Sequence, residues 1–417
     1  MRQLTSRILA AAARRYLGRK GGFDLAKVGM LPDRTLVPLR RAGIDPVPEL
    51  AAIRDQAPVS RLPVPFGLKV WLVTGYDAAK QVLADGDGFS TDFANLAPGV
   101  AGPGGLGFAD PPEHTRLRKL LTPEFTMRRL ARLTPRIHEI VEDRLDAMAA
   151  APGPVDLVAE FALPIPSLVI CELLGVPYAD RADFQRLAMA RFDVFAGAGA
   201  SLGAISESLD YLRTVVEVQR RAPGDGLIGM IIREHGDEVT DDELAGLADG
   251  VLTGGFETTA SMLALGALVL LSDPAAFQLV RTTDEAAAPF VEEVLRHLAV
   301  VQVAFPRFAR DDLTIAGTQI SRGDVVIVSL SGANRDPVLG PNLEHPDPTR
   351  TPTSHLAFGH GLHRCIGAEL AKMELRAAYP ALVRRFPGMR LAVEPAELRF
   401  RPASIVYGVE SLPVRLG

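Results

Sequence analysis

Cysteine is nearly absent from this chain: 417 residues contain two, Cys171 and Cys365. One pair cannot make a disulfide framework, so the thiols are expected to stay reduced and the location is expected to be cytoplasmic. Long apolar runs are missing as well. The longest, MLALGALVLL at Met262–Leu271, falls well short of the ~18 residues that suggest a spanning helix, so no membrane crossing is expected. A strong charge imbalance is also lacking; a net charge of -5 excludes an argument for nucleic acid as a partner. No internal repeat is visible, which removes solenoids and propellers. Acidic residues do not occur before Asp24, and the start MRQLTSRILAAAARRYLGRK is basic and weakly amphipathic. Its run ILAAAA is too short for a signal h-region and is flanked by arginines, so residues 1–45 are expected to form an N-terminal extension. A transit-peptide or membrane-surface role is the other reading of that segment.

What is present describes an ordinary globular chain, 47% hydrophobic and 23% charged. Its length exceeds the ~250–300 residues at which single cores stop growing, so two lobes are expected, with material for a buried pocket. LKVWLVTG (Leu68–Gly75) is branched and aromatic, as strands are, and DAAKQVLAD returns to helical spacing. Between about Pro111 and Val300 most segments follow a 3.6 period, among them RLARLTPRIHEIVEDRLDAMAA and IPSLVICELLGV. After Phe305, DDLTIAGTQISRGDVVIVSL and FRPASIVYGVESLPVRL show branched runs around turn residues. The expected class is mainly α with small β-sheets, a large helical lobe plus a small β-rich lobe. Two segments break the pattern: Thr91–Asp110, rich in Gly and Pro, and the glycine-studded FDVFAGAGASLGA at Phe192–Ala204. Both are read as covers over an apolar cavity.

The thiol of Cys365 lies in FGHGLHRCIG (Phe358–Gly367), where a glycine-rich loop meets the helical stretch AELAKMELRAAY. The spacing places Cys365 at a helix N-terminus, where free N–H groups and the dipole favour a thiolate. Gly359, Gly361 and Gly367 allow tight turns or the close approach of a flat partner, and Phe358 offers it an aromatic surface. Three readings follow: a buried structural cysteine, a zinc site drawing on His355, His360, His363 and Cys365, or a haem held by one axial thiolate. The spacing H-x4-H-x2-H-x-C is not a usual structural-zinc pattern, and no second ligand pair lies elsewhere. At Phe358-x-x-Gly361-x-x-x-Cys365-x-Gly367 the chain resembles the cytochrome P450 family in its bacterial form, and the likeness extends from roughly Pro46 to Leu416. The resemblance implies the cytochrome P450 fold and a haem-binding domain over residues 46–417. It also implies haem b (iron protoporphyrin IX) as cofactor, with Cys365 as the axial ligand of the iron.

Other segments stand in the family's order. VLTGGFETTASML (Val251–Leu263) puts two glycines and then Glu257 and Thr258 into an apolar helix, against stability on both counts. A bulge at Gly254 and Gly255 is expected to open a groove there. Thr240–Glu243 (T-D-D-E) reads as the capping box that starts this helix. By resemblance, Gly255 lies against the haem, Glu257 is the acid of a proton-delivery chain, and Thr258 is the hydroxyl that hydrogen-bonds the dioxygen. In PFVEEVLRH, Glu293-x-x-Arg296 is similar to the family's buried ion pair, with Arg350 as third member. His114 and Arg118, one helical turn apart, resemble its propionate-binding segment, and Arg307 and His363 match the other propionate partners. The implied activity is a haem-thiolate monooxygenase that uses O2 on a hydrophobic lipid, terpenoid, steroid or polyketide-like substrate. Electrons would come from a ferredoxin and ferredoxin reductase, docked on a basic face that includes Arg364, Lys372 and Lys119. A peroxide-using or isomerising haem-thiolate enzyme and a non-enzymatic haem protein are the alternatives.

Overall fold

Branched residues on both sides of short turns make one sheet out of distant pieces of chain. In the computed structural model, which describes residues 33–64, 68–92, 106–177, 180, 198–351 and 353–417, with 198–206 as backbone only, five strands pair. They are Val59–Leu62 (β1), Val70–Val73 (β2), Phe89–Ser90 (β3), Arg307–Ala309 (β4) and Val325–Val328 (β5), in the order β1-β2-β5-β4-β3. β5 runs parallel to β2, with Val325 opposite Val70 and Val328 opposite Val73, while the other three pairings are antiparallel. VVIV and VWLV are apolar on both faces, as strands covered on both sides must be. A hairpin of Leu313–Ile315 with Thr318–Ile320 precedes β5.

The helices used below are Tyr76–Ala84 (α1), Glu113–Leu121 (α2), Thr134–Ala149 (α3), Pro164–Leu174 (α4), Ala198–Arg221 (α5), Asp241–Ser272 (α6), Ala287–Leu298 (α7) and Ala368–Arg385 (α8). Helix α6 spans 32 residues, about 48 Å at 1.5 Å per residue, and packs against α4, α5 and α8. Thr240 caps it by accepting from the Glu243 N–H at 3.2 Å. The expected box is one-sided, because the Glu243 carboxylate is taken by Arg116 of α2. The helix is long and apolar enough to cross a bilayer, which its short uninterrupted runs do not suggest, yet 72% of its most apolar window is buried within the protein. No bulge forms at Gly254 and Gly255; the helix passes through both as regular α. Leu263 and Leu265 of α6, Val291 and Leu295 of α7, and Leu375 and Leu382 of α8 share one core. Gly266 is needed there, since an added Cβ would collide with the Tyr379 ring, whose hydroxyl donates to the Met262 carbonyl.

Of the expected extension 1–45, residues 1–32 lie outside the described residues. From Asp33 onward the chain is folded into the body: Arg41 donates to the Leu298 carbonyl at 2.6 Å and to Gln302 at 2.8 Å, and Asp45 meets Arg335 at 2.8 Å.

Candidate active site

The loop before α8 closes on itself through two backbone bonds, Gly359 N–H to the Leu356 carbonyl and Cys365 N–H to the Phe358 carbonyl, both 2.8 Å. Gly359 and Gly361 each sit at φ +69°, a left-handed conformation that side chains with Cβ resist. Gly361 has a second constraint: a Cβ there would fall on the Leu83 carbonyl and 2.7 Å from the Ala84 Cα, so its small size lets the loop rest on the end of α1. The turn Gly361–His363 is 3-10, and α8 begins only at Ala368, three residues beyond Cys365. Cys365 thus precedes the helix instead of opening it. At Gly367 an added Cβ would make only ordinary contacts, with Phe125 at 3.8 Å and Cys365 Sγ at 4.0 Å, so no clash requires a glycine there.

Cys365 is exposed to a recess of about 210 Å³ lined by Arg118, Thr122, Phe125, Arg364 and Ile366. Although the residue borders this open recess, the protein packed around the sulfur pushes the thiol up by burial, while the Gly367 N–H, Arg364 and Arg118 pull it down. Burial wins. The helix N-terminus does not by itself make a thiolate here, and a cation bound to the sulfur would have to supply the rest.

Four cationic or protonatable groups gather beside this loop. His114 and Arg118 stand one turn apart on α2, and the His114 and His363 rings lie 4.3 Å apart. Arg307 on β4 is buried and donates to the Phe305 carbonyl at 2.9 Å. Burial and then Arg307 and His114 hold His363 down at about 3, and burial followed by Arg118 lowers His114. Arg307 is brought to about 10 and Arg118 is lowered, both first by burial. Asp110 is near, but it already accepts from Ser90, Thr91 and Arg310. Fully buried His114 has no hydrogen-bond partner for either ring nitrogen among the described residues. Such a donor set, starved of anion, fits a group bearing two carboxylates. No three His, Cys, Asp or Glu residues converge as a metal site among the described residues, which sets the zinc reading aside. His355 is spent on Glu292 at 3.2 Å.

On α6 the two glycines divide in role. A Cβ on Gly254 would meet nothing within 4 Å, whereas one on Gly255 would press on Ile170 of α4 at 3.2 Å. Gly254 therefore marks the open side, and Gly255, expected against the cofactor, lies where helix meets helix. Thr258 donates its hydroxyl to the Gly254 carbonyl at 2.8 Å, on that open side. Glu257 turns instead to Arg401, which the sequence reading missed. Burial raises its carboxyl and Arg401 opposes the rise. Elsewhere in the chain, large apolar side chains stand exposed: Phe305, 46% exposed and edge-on to Phe108 at 4.5 Å, and Ile405, 39% exposed. Of the two expected covers, residues 93–105 and 192–197 lie outside the described residues, as do the side chains of 198–204.

Glu293 and Arg296 form the two-pronged pair expected of them, at 2.7 and 2.8 Å, both buried. Arg350 joins at 3.2 Å and also reaches the carbonyls of Pro341 and Asn342. Arg296 caps the carbonyls of Asn334 and Leu343, and the Asn334 amide oxygen accepts from the Leu356 N–H at 2.6 Å. The cluster is thereby tied to the strand of chain that enters the cysteine loop. Of the expected basic face, Arg364 and Lys119 are exposed, but Lys372 is not free: it bonds Glu292 at 2.9 Å and lies 5.7 Å above the Phe358 ring.

A family model described as Cytochrome P450 matches residues 287–394. Cytochrome P450 165B3 of Amycolatopsis orientalis is 40% identical over 390 residues, covering 90% of this chain and 97% of that protein. The chain belongs to the cytochrome P450 family. PikC, a cytochrome P450 monooxygenase of Streptomyces venezuelae, is 41% identical over 380 residues, or 89% of this chain and 91% of PikC. The structure of OxyE, a cytochrome P450 involved in teicoplanin biosynthesis, superposes with a TM-score of 0.85 at 41% identity, covering 91% of this chain and 99% of that one. This P450 is an oxidoreductase of the monooxygenase class with haem as its cofactor, and the donor set around His114 fits the propionates of that group.

Proposed function

We propose that this P450 holds its haem through Cys365 and oxidises a hydrophobic secondary-metabolite-like substrate with electrons from a ferredoxin and its reductase. The observation that carries the site assignment is buried His114, unpartnered on both nitrogens among the described residues, beside His363, Arg118 and Arg307 in one nest of donors next to the cysteine loop. These four side chains would take the two propionates, and Phe358, Gly361 and Gly367 would leave room for the ring. When bound, haem supplies the activation of O2 and the transfer of one of its oxygen atoms to substrate, the other leaving as water.

The chain supplies the rest. Burial raises the Glu257 carboxyl above its ordinary value against the pull of Arg401, which favours its holding a proton, and Thr258 carries a hydroxyl proton at Oγ1 on the open side of α6. Phe305, Phe108 and Ile405 offer apolar surface that excludes water and favours a hydrophobic substrate. A relative named mycinamicin IV hydroxylase/epoxidase makes a hydrophobic secondary metabolite, open to hydroxylation or epoxidation, the first class to try. Exposed Arg364 and Lys119 support an acidic ferredoxin as electron donor, and the site of action is proposed to be the cytoplasm. Turnover with ferredoxin and reductase is compared with turnover on hydrogen peroxide, using a substrate that shifts the haem spin state. Product from the first route only is expected; product from peroxide alone would remove the ferredoxin assignment.

A further inference from the structure

The C-terminal chain folds over α6 as a tight hairpin. Arg401 N–H donates to the Gly408 carbonyl at 2.9 Å, and the arm between them pairs with the segment leading into β4: Gln302 N–H to Ile405 O at 3.0 Å, Tyr407 N–H to Val300 O at 2.7 Å. From one arm Arg401 reaches Glu257 of α6. Near the tip, Ala403 adopts φ +48° and Ile405 stands exposed. One turn along α6 from Glu257, buried Ser261 has a hydroxyl without a hydrogen-bond partner among the described residues. It lies under Gly408, where an added Cβ would come to 2.8 Å from Ser261 Oγ and 3.5 Å from the Arg401 guanidinium carbon. Gly408 is therefore the residue that lets the hairpin settle on this polar face of the helix.

We propose that Arg401 is a positioning residue for Glu257, delivered by the same hairpin that presents Ile405 to the substrate space, so that the seating of the hairpin sets whether the acid is held or free to exchange protons. The inference rests on reading Glu257 as the acid of the proton route. Paired, the carboxylate is held by the hairpin, and the Thr258 hydroxyl is engaged with the Gly254 carbonyl. A substrate pressing on Ile405 acts on the hairpin that carries Arg401. Among the described residues, Arg401 is the charged group that acts on Glu257; α4 brings apolar Ile170 to the adjacent Gly255.

The test is a direct titration of the Glu257 carboxyl in the resting ferric holoenzyme, by pH-difference infrared spectroscopy with Glu257→Gln subtracted to identify its band. An adjacent arginine lowers a carboxyl by roughly 1–3 pH units. In Arg401→Gln the midpoint should therefore rise by at least one unit, a tenfold change, and Arg401→Lys should restore most of it. The wild-type midpoint should also rise when a spin-shifting substrate fills the site. A midpoint unmoved by Arg401→Gln would overturn the proposal. If Arg401→Gln does not fold but the double variant with Glu257→Gln does, an uncompensated buried carboxylate is the cause and the pairing is upheld. If neither folds, Arg401 serves the hairpin alone and the proposal fails. Failure of the thiolate reading would appear elsewhere, in the carbon monoxide spectrum of the wild-type protein.

Discussion

Replacing Arg296 by Ala should be among the most destabilising single changes in the chain. The guanidinium is 1% exposed and makes four bonds: two to Glu293, itself 6% exposed, and one each to the carbonyls of Asn334 and Leu343. Removing one member of a buried pair costs about 3–5 kcal/mol, because the other charge is left without compensation. The two orphaned carbonyls add roughly 1 kcal/mol each, while Arg350 and the Asp347 N–H still hold Glu293 and take back part of the loss. A net loss of about 3–5 kcal/mol is a large share of the ~5–15 kcal/mol that domains possess. Equilibrium urea denaturation reads it, followed by circular dichroism and by the single tryptophan, Trp71, which is anchored in the sheet by its bond to Asp324 at 2.8 Å. The sign of the pH dependence follows from Glu293. Burial alone would raise its carboxyl, but Arg296, the Asp347 N–H and Arg350 hold it below its ordinary value. Its contribution is therefore present above about pH 4.3 and lost as pH falls through the folded value. The gap between wild type and Arg296→Ala should narrow in acid. A loss under about 1 kcal/mol at neutral pH, the scale of an exposed pair, would refute the reasoning.

Two further predictions concern the cofactor cradle. Gly361→Ala must force both a left-handed backbone and contact with the end of α1, so a loss of at least about 1–2 kcal/mol and weakened haem retention are expected, measured by thermal melts and by haem transfer to a scavenger. His363 is held near 3 in the folded, haem-free chain against about 6.5 unfolded, so the unfolded state binds more protons in that window and stability should fall as pH drops below about 6.5. Propionates beside His114 and His363 would raise both and flatten this slope. Melting temperature against pH for the two forms checks it; His297, held at about 4, contributes with the same sign to each and cancels in the comparison.

The cysteine loop and the order of helices were legible because their constraints are local: turn glycines, an i,i+3 ion pair, a helix turn carrying His114 and Arg118. LKVWLVTG could be read as a strand, but its parallel partner Val325–Val328 is too distant along the chain for any local pattern to reveal. The expected bulge at Gly254 and Gly255 failed because two glycines do not by themselves break a long packed helix: Gly255 fits against Ile170 of α4, and Gly254 faces open space where no contact requires a glycine. Lys372 looked like a docking charge, yet its ammonium is taken by Glu292 and sits over the Phe358 ring. Arg350 joined the ion-pair cluster despite its irregular surroundings, because it reaches two backbone carbonyls of the preceding loop as well as Glu293. Arg401 was invisible for the opposite reason: it lies 144 residues from Glu257 in an irregular segment where nothing but the fold makes them neighbours.

The central claim is that Cys365 ligates the haem iron, and the spectrum of the reduced protein under carbon monoxide tests it most directly. The wild-type protein should show the strongly red-shifted Soret band of a thiolate-ligated haem, and Cys365→His should keep haem while losing that shift. A red-shifted band that survives in Cys365→His, or a wild-type preparation that binds haem without one, would contradict the account.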